Sequence, residues 1–388
     1  MREKVERRAA RLRGKLADAL LSAGLVRDSR WSSAFREVPR HVFLPRFFRQ
    51  RPDGKWEALD SDHPDWLSLI YGDQVWVTQL DGDDTKWERA RRNNGVTGVP
   101  TCSSSMPAIM AIMLEALDVH WGQSVLEIGA GTGYNAALLC HALGEEQVTT
   151  VDVDAGVLTR ASEHLARSGY RPTCAVGDGA LGFAANAPYD RVLCTCSVSR
   201  IPLAWLDQTV PGGLVVTTLN RQIGAGLVRI EVGDGPRGEG RVLSEDGRFM
   251  PLRADGQPWS GDLLRSARTA EAESARETSL DADAVLSPSS PFEFFAGLAL
   301  SDVAASVGTR GQTWFAHRDG SWVRHGTRNA VHVVEQGGPR RLWDVAEAAH
   351  QQWQELGQPR RHRFGVTVEP GTQYLWLDRS DSSYRWEL

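Results

Sequence analysis

The rest of the chain can be placed relative to one segment, Ser124-Val-Leu-Glu-Ile-Gly-Ala-Gly-Thr-Gly-Tyr-Asn135. Val125, Leu126 and Ile128 read as a short buried strand. Gly129, Gly131 and Gly133 then form a tight turn, and Ala136, Ala137, Leu138 and Leu139 open a helix. A strand, a Gly-rich turn and a helix in this order form the nucleotide-binding end of a parallel α/β sheet. Glycines there let the backbone approach a ligand where a Cβ would clash.

Two ligand classes compete for such a loop. Gly131-Thr-Gly133-Tyr-Asn-Ala136 fits the dinucleotide fingerprint. Glu127 argues against it, because a carboxylate at the loop mouth repels a pyrophosphate. It suits S-adenosylmethionine (SAM), which has no phosphate and carries a sulfonium and an ammonium. The pattern E-x-G-x-G-x-G resembles the SAM loop of Rossmann-like methyltransferases. Asp152 ends the next apolar strand, Val148-Thr-Thr-Val-Asp152, where an acid is placed for two ribose hydroxyls. Gly177-Asp178-Gly179 follows the strand-like Thr173-Cys-Ala-Val176, and Asp178 can accept from an adenine amino group. Pro188–Thr195 reads as strand four, and Pro211-Gly-Gly leads into strand five. Ala130, Tyr134, Asn135, Val153 and Thr195 complete the expected cofactor contacts.

Composition bounds the function. The 388 residues suit about two domains, and the net charge of −5 does not suggest a nucleic-acid binder. The five cysteines show no C-x-x-C pair, so a reduced, cytoplasmic protein is expected. Cys194 and Cys196 read as core filler on one strand face. The charged start, Met1-Arg-Glu-Lys-Val-Glu-Arg-Arg, does not read as a signal peptide. No apolar run approaches the ~18 residues of a membrane span. The fourteen tryptophans are spread along the whole chain, which argues against a single stacking platform. A monomer without bound metal is expected.

Along the chain, residues 4–26 read as an amphipathic helix. Residues 1–51 carry fourteen basic and five acidic side chains, and residues 52–94 five and ten. A solvated face beside an acidic loop accounts for this, while a basic arm that helps to hold an acidic peptide is the sharper reading. Residues 50–99 show no periodicity and read as loops and short strands. Thr101-Cys-Ser-Ser-Ser-Met-Pro107 leads into the apolar helix Ala108–Leu117. Its serines serve either as an N-cap or as a polar turn that receives a carboxylate. Residues 254–289 read as a linker containing Pro258, with a short helix at 264–276. Residues 290–388 read as a smaller α+β domain. It has a hairpin around Asp319-Gly320, a strand at Val331–Val334, a helix at Leu342–Trp353 and a closing hairpin, Phe364–Val368 with Gln373–Leu377. His317, His325, His332, His350 and His362 lack metal-ligand spacing and read as ordinary surface or core histidines.

The chain resembles the protein-L-isoaspartate O-methyltransferase family. The likeness rests on Phe35-Arg-Glu-Val-Pro-Arg-His-Val-Phe-Leu-Pro45, Ser103-Ser-Ser-Met-Pro107, the Val125–Tyr134 loop, Gly177-Asp-Gly179 and Ala187-Pro-Tyr-Asp190. Leu227–Glu231 and Arg248–Leu252 resemble the family's last two strands. The resemblance implies an α/β, Rossmann-like SAM-dependent methyltransferase fold, with a mostly parallel seven-stranded sheet in residues 1–253. It also implies a peptide or protein substrate esterified on an isoaspartyl or aspartyl carboxylate. The family usually carries Gly-Gln-Thr-Ile-Ser-x-Pro before the helix; Gly98-Val-Pro-Thr-Cys-Ser-Ser-Ser-Met-Pro107 replaces it here. Ser105 keeps the Ser-x-Pro register, and Ser103 and Ser104 stand where Thr and Ile are usual. The longer architecture, through Gly338–Asp344 and Arg363–Val368, resembles the actinobacterial homologues that accompany ribosomally made, modified peptides. That likeness implies methylation of an Asp side chain in a macrocyclised precursor peptide, followed by collapse to an aspartimide.

An Asp or isoaspartyl carboxylate has a pKa of ~4 and is already ionised at pH 7, so no general base is required. Ser105, with Ser104 and Ser103, is expected to position it. Glu127, Gly129, Gly131 and Gly133 are expected at the methionine end of SAM, Asp152 at the ribose and Asp178 at the adenine. The leading expectation is a peptide-tailoring aspartate O-methyltransferase with residues 290–388 binding the peptide. General isoaspartate repair, a vestigial scaffold and a nicotinamide oxidoreductase are the competing readings.

Overall fold

A computed structural model describes every residue except 1, 220, 254–259 and 309–310, so Pro258 of the expected linker lies outside the described residues. One sheet organises the rest. Its strands are β1 (Val125–Ile128), β2 (Val148–Asp152), β3 (Thr173–Val176), β4 (Tyr189–Val198) and β5 (Thr209–Leu219). They continue with β6 (Gly226–Val232), β7 (Gly238–Val242), β8 (Phe364–Glu369), β9 (Thr372–Leu377) and β10 (Arg385–Glu387). The spatial order is β10-β9-β8-β7-β6-β5-β4-β1-β2-β3.

Strands β3, β2, β1, β4 and β5 run parallel, and the remainder pair antiparallel. The sheet is therefore mixed and ten-stranded, in place of the expected seven mostly parallel strands. The physical reason is loop length. Short turns join β6 to β7 and β8 to β9, whereas a parallel crossover needs a dozen residues or more. Leu227–Glu231 lies in β6 as expected. Arg248–Leu252 is an extended segment with one parallel bridge, Ser197 to Pro251, and not a full strand.

All four residues of β1 are buried, as a strand covered on both faces requires. Val125, Leu193, Val216 and Leu227 face one core. The helices Arg2–Ser22, Ser29–Glu37, Pro107–Leu117 and Tyr134–Leu143 help to build that layer. Helix Tyr134–Leu143 is buried on nearly every side, which explains its almost wholly apolar sequence. Leu126, Ile128, Val192, Val215, Val228 and Ile230 face the opposite core.

That second core is completed by the C-terminal part of the chain. Phe294, Phe295, Phe315, Val323, Trp343 and Phe364 belong to it. A five-stranded antiparallel sheet stands behind them, in the order 274–278, 331–337, 322–328, 313–316, 304–307. The Asp319-Gly320 hairpin, the helix Leu342–Glu355 and the closing hairpin form as expected. The helix expected at 264–276 instead ends at Thr269, and Ser274–Thr278 is a strand paired with residues 332–336. Tertiary pairing overrides local helical composition there. Strand β8 pairs directly with β7, and residues of the 290–388 segment share the core of this sheet.

The loops and short strands expected around residues 50–99 are present, and the strands within residues 46–104 pair into a third sheet. Its strands are Arg46–Gln50, Trp56–Asp60, Trp76–Leu80 and Pro100–Ser104. Phe48, Val77, Leu80, Trp87 and Ala90 form its own small core. The basic arm pairs with the acidic segment through Arg49–Glu57 and Arg46–Glu88, so these opposite charges meet within the molecule.

A prediction follows from the shared core. Each large apolar side chain exposed costs about 1.5–3 kcal/mol, so losing several exceeds the stability of an ordinary domain. A fragment of residues 1–253 should be aggregated or lack a cooperative thermal transition. A soluble fragment that melts cooperatively would contradict this account of the fold.

Candidate active site

The parallel strand order reverses at β1, whose neighbours are β2 and β4. A crevice opens beyond the strand ends at such a switch point. Here it is a cleft with an internal volume of about 220 Å³, open to solvent at its mouth. The Gly loop, the ends of β2, β3 and β4, the serine segment and residues 248–253 line it.

Gly129, Gly131 and Gly133 all have left-handed backbone, with φ of 92°, 53° and 85°. A Cβ on Gly129 would lie 2.8 Å from both Cys196 Sγ and Thr195 Oγ1. Thr195 Oγ1 donates to the Gly129 carbonyl at 2.7 Å, which fixes the loop against β4. A Cβ on Gly133 would meet the Ala161 backbone at 3.1 Å, so Gly133 permits helix packing and does not line the cleft.

Glu127 is not at the mouth. It has no exposed surface and lies beneath the loop. Asn135 Nδ2 donates to its Oε1 at 2.7 Å and Thr150 Oγ1 to its Oε2 at 2.6 Å. Burial pushes its pKa up to about 7. Glu127 thus joins β1, β2 and the helix after the loop, and it lies outside the lining of the cleft. The strand alternation turns it away from the cleft. Asn135 does reach the cleft wall, and its Oδ1 is buried without a partner among the described residues.

Asp152 ends β2 on the cleft wall. Its Oδ2 accepts from Gly131 N at 3.1 Å and its Oδ1 from Asp154 N at 3.0 Å. Burial raises its pKa, partly offset by these backbone donors. Asp178 follows β3, accepts from Ala180 N at 2.9 Å and lines the same wall. Val153 between them is 47 % exposed and offers an apolar surface for a flat ring. Ala130, Tyr134 and Gly179 also line the cleft, while Gly177 does not.

The opposite wall is the strand Pro100–Ser104 and its continuation. Ser103, Ser104 and Ser105 all line the cleft. A Cβ on Gly131 would stand 3.4 Å from the Ser103 carbonyl, so the serine strand and the Gly loop are in direct apposition. Ser104 Oγ is buried and has no partner among the described residues. None of the three caps the following helix by its side chain; Asp73 Oδ1 accepts from Ala108 N at 2.8 Å instead.

Arg40, from the Val-Pro-Arg-His motif, anchors this wall from behind. Its guanidinium is buried and donates to the carbonyls of Ile70 at 2.7 Å, Gly72 at 3.1 Å, Gln74 at 3.1 Å and Ser105 at 2.9 Å. Burial lowers its pKa to about 10, so it remains a cation at pH 7. Cys102 beside the serines has its thiol pushed up to about 11 by burial, which leaves it a poor nucleophile.

Several cleft residues escaped sequence reasoning. Met106, Ile109 and Met110 come from the first turns of the helix after the serines. Phe249, Met250 and Arg253 come from the segment after β7, held by Ser197 N to Met250 O at 2.9 Å and Leu252 N to Ser197 O at 2.8 Å. Arg248 of this segment pairs with buried Glu293 at 2.6 Å, which connects the cleft wall to the C-terminal part. Only the resemblance of Arg248–Leu252 to a family strand signalled this segment.

The arrangement fits SAM. Two acids stand at adjacent strand ends, the glycines admit a ligand against the loop, and Asn135 Oδ1 offers an unpaired acceptor to an ammonium.

Comparison with known proteins gives a consistent picture. A family model described as protein-L-isoaspartate(D-aspartate) O-methyltransferase (PCMT) matches residues 93–254. The chain is 36% identical over 235 residues to a protein-L-isoaspartate O-methyltransferase of Methanococcus maripaludis, covering 60% of this chain and 92% of that one. It is 29% identical over 241 residues to protein-L-isoaspartate O-methyltransferase 1 of Syntrophobacter fumaroxidans, covering 62% and 93%. A solved structure titled protein-L-isoaspartate O-methyltransferase shares the fold with a TM-score of 0.54 at 22% identity, covering 95% of this chain and 100% of that one.

The buried Glu127 generates a pH prediction. Its folded pKa of about 7 exceeds the ordinary 4.5, so the folded state holds the proton through that window while the unfolded state releases it. Stability therefore falls as pH rises from about 4.5 to 7, by no more than about 3 kcal/mol. Glu127→Gln should flatten that slope in urea unfolding at pH 5 and pH 7. An unchanged slope would contradict a buried, protonated Glu127.

Proposed function

Because the chain belongs to the protein-L-isoaspartate O-methyltransferase family, whose members are SAM-dependent carboxyl O-methyltransferases, we propose that it esterifies isoaspartyl carboxylates in proteins and peptides at the cleft between the Gly loop and the serine strand. The observation that supports this is the apposition of Ser103 to Gly131, across which the proposed carboxylate site would face the proposed methyl-donor site.

Bound SAM supplies an electrophilic methyl group on a sulfonium. Asp152 would accept from the ribose hydroxyls, Asp178 from the adenine amino group and Asn135 Oδ1 from the ammonium, with Val153 offering an apolar surface to the adenine. Ser105 and Ser104 donate to one carboxylate oxygen and leave the other facing the loop. Arg40 holds the Ser105 carbonyl and so fixes the direction of that donor. No base is needed, since the carboxylate is ionised at pH 7. Positioning is the main contribution, and holding two reactants in line is worth up to about 7–11 kcal/mol. Met106, Ile109, Met110 and Phe249 keep the reacting region dry. Once the free α-carboxyl of the isoaspartyl residue is esterified, its carbonyl is open to attack by the nitrogen of the following peptide bond, which releases methanol and forms a succinimide.

General isoaspartyl substrates are favoured over one dedicated peptide. The relatives matched over most of their length carry the isoaspartate name. The shared fold with the solved structure spans 95% of this chain, so the C-terminal part does not by itself mark a different class. The peptide-tailoring reading, with aspartimide as product, retains one specific support. The Ser-rich wall belongs to the sheet of residues 46–104, and Val75 and Thr101–Ser105 of that sheet region line the cleft where the substrate's flanking residues would lie.

The test is mass spectrometry of an isoaspartyl peptide and its aspartyl twin incubated with SAM. The isoaspartyl peptide should gain a methyl group and then lose methanol, with the twin unchanged. Methylation confined to an ordinary Asp of one peptide would overturn this reading in favour of tailoring. Asp152→Asn should weaken SAM binding about 10- to 100-fold, as expected for hydrogen bonds worth about 1.5–3 kcal/mol. Ser105→Ala should lower turnover at least about tenfold and leave SAM affinity within about twofold. Equal losses of both in Ser105→Ala would contradict the role given to Ser105.

A further inference from the structure

The C-terminal sheet holds a cluster that the linear spacing of its histidines does not reveal. His325 lies on the strand Trp322–Arg328 and His332 on the neighbouring strand Val331–Gly337. The register pairs His325 with Val334 and Thr327 with His332, so the two histidines are diagonal neighbours on one sheet face. Their ring centroids are 5.2 Å apart. Asp281 caps the short helix Ala282–Leu286, its Oδ1 accepting from Asp283 N at 3.1 Å. One ligand atom from each of Asp281, His325 and His332 lies within 4.8 Å of the others.

The hydrogen bonding of His325 supplies a second, independent observation. The residue is 3 % exposed, and its Nε2 lies 3.2 Å from the Leu280 carbonyl. A nitrogen facing a carbonyl carries the proton, so Nδ1 holds the lone pair. That Nδ1 is buried with no partner among the described residues. One ring N–H given to a backbone carbonyl, with the other nitrogen unsatisfied, is the arrangement that orients a metal-binding imidazole. Trp343 packs on the His325 ring at a centroid distance of 4.8 Å and limits its rotation. His332 has Nδ1 3.4 Å from Thr327 Oγ1, which leaves Nε2 for a ligand.

We propose that Asp281, His325 and His332 bind a divalent transition ion of the zinc class. Two imidazoles and one carboxylate suit zinc, whereas magnesium and calcium prefer all-oxygen sites. Metal–ligand distances of about 2.0–2.2 Å require the three atoms to close by roughly an ångström from their present limit. Asp281 is exposed and His332 half-buried, so the ion enters from the surface and a fourth position remains open to water. The ion ties the segment around Leu280 to the sheet that completes the second core.

Zinc chloride titrated into the untagged, chelator-treated full chain tests this by calorimetry, with metal content measured on the purified protein. One zinc per chain is expected, together with a rise in melting temperature. His332→Gln, at a half-buried position, and Asp281→Asn, at an exposed one, should each weaken zinc binding about tenfold or more. Their melting temperatures in chelator should match the parent, and methyl transfer should be unchanged. No zinc binding by the parent, or binding unaltered in both variants, would overturn the proposal. So would a preference for calcium or magnesium over zinc.

Discussion

A parallel sheet that is apolar on both faces must be covered on both faces, and most of this molecule answers that requirement. The N-terminal helices and the two helices flanking the Gly loop cover the side of Val125, Leu193 and Val216. The side of Leu126, Val192 and Val215 is covered in large part by residues that follow position 280 in the chain. Strand β8 extends the same sheet from β7. The C-terminal part therefore serves the methyltransferase sheet itself. Its link to the cleft is direct, since buried Glu293 pairs with Arg248 on the cleft wall.

Two buried ionisable groups then shape the cleft from behind its walls. Glu127 joins Asn135 and Thr150 under the loop, and Arg40 gathers four carbonyls, including that of Ser105. Neither group needs to touch a ligand to matter. Removing one partner from a buried hydrogen-bonded set leaves unsatisfied polar atoms, each costing about 1–3 kcal/mol. The loop and the serine strand are thus held opposite each other by groups already bonded within the protein. Such preorganisation is what a reaction without acid–base catalysis requires of its enzyme.

The local features of the site were legible in the sequence. The strand, the Gly turn, Asp152, Asp178 and the helix after Pro107 depend on short-range patterns, and the structure has each of these elements in the order read. Non-local features were not legible. Glu127 stands two residues before the first glycine, which suggests the mouth of the loop; strand alternation turns it under the loop. Arg40 belongs to a recognisable motif, yet its partners lie 30–65 positions away and no spacing shows them. The sheet of residues 46–104 lacks clean alternation because its strands are buried unevenly. The return of Phe364–Leu377 to the sheet that began at Val125 is a long-range pairing, which periodicity does not encode. The segment Arg248–Arg253 became part of the cleft for the same reason.

The central claim is that the Gly loop and the serine strand form one site for methyl donor and carboxylate. The most direct measurement is a crystal structure of the full chain with S-adenosylhomocysteine and an isoaspartyl peptide. The account predicts ribose hydroxyls on Asp152, the adenine beside Asp178 and Val153, and the peptide carboxylate at Ser105 facing the sulfur. A nucleoside bound away from Asp152, or a carboxylate bound outside the Ser103–Ser105 wall, would contradict it.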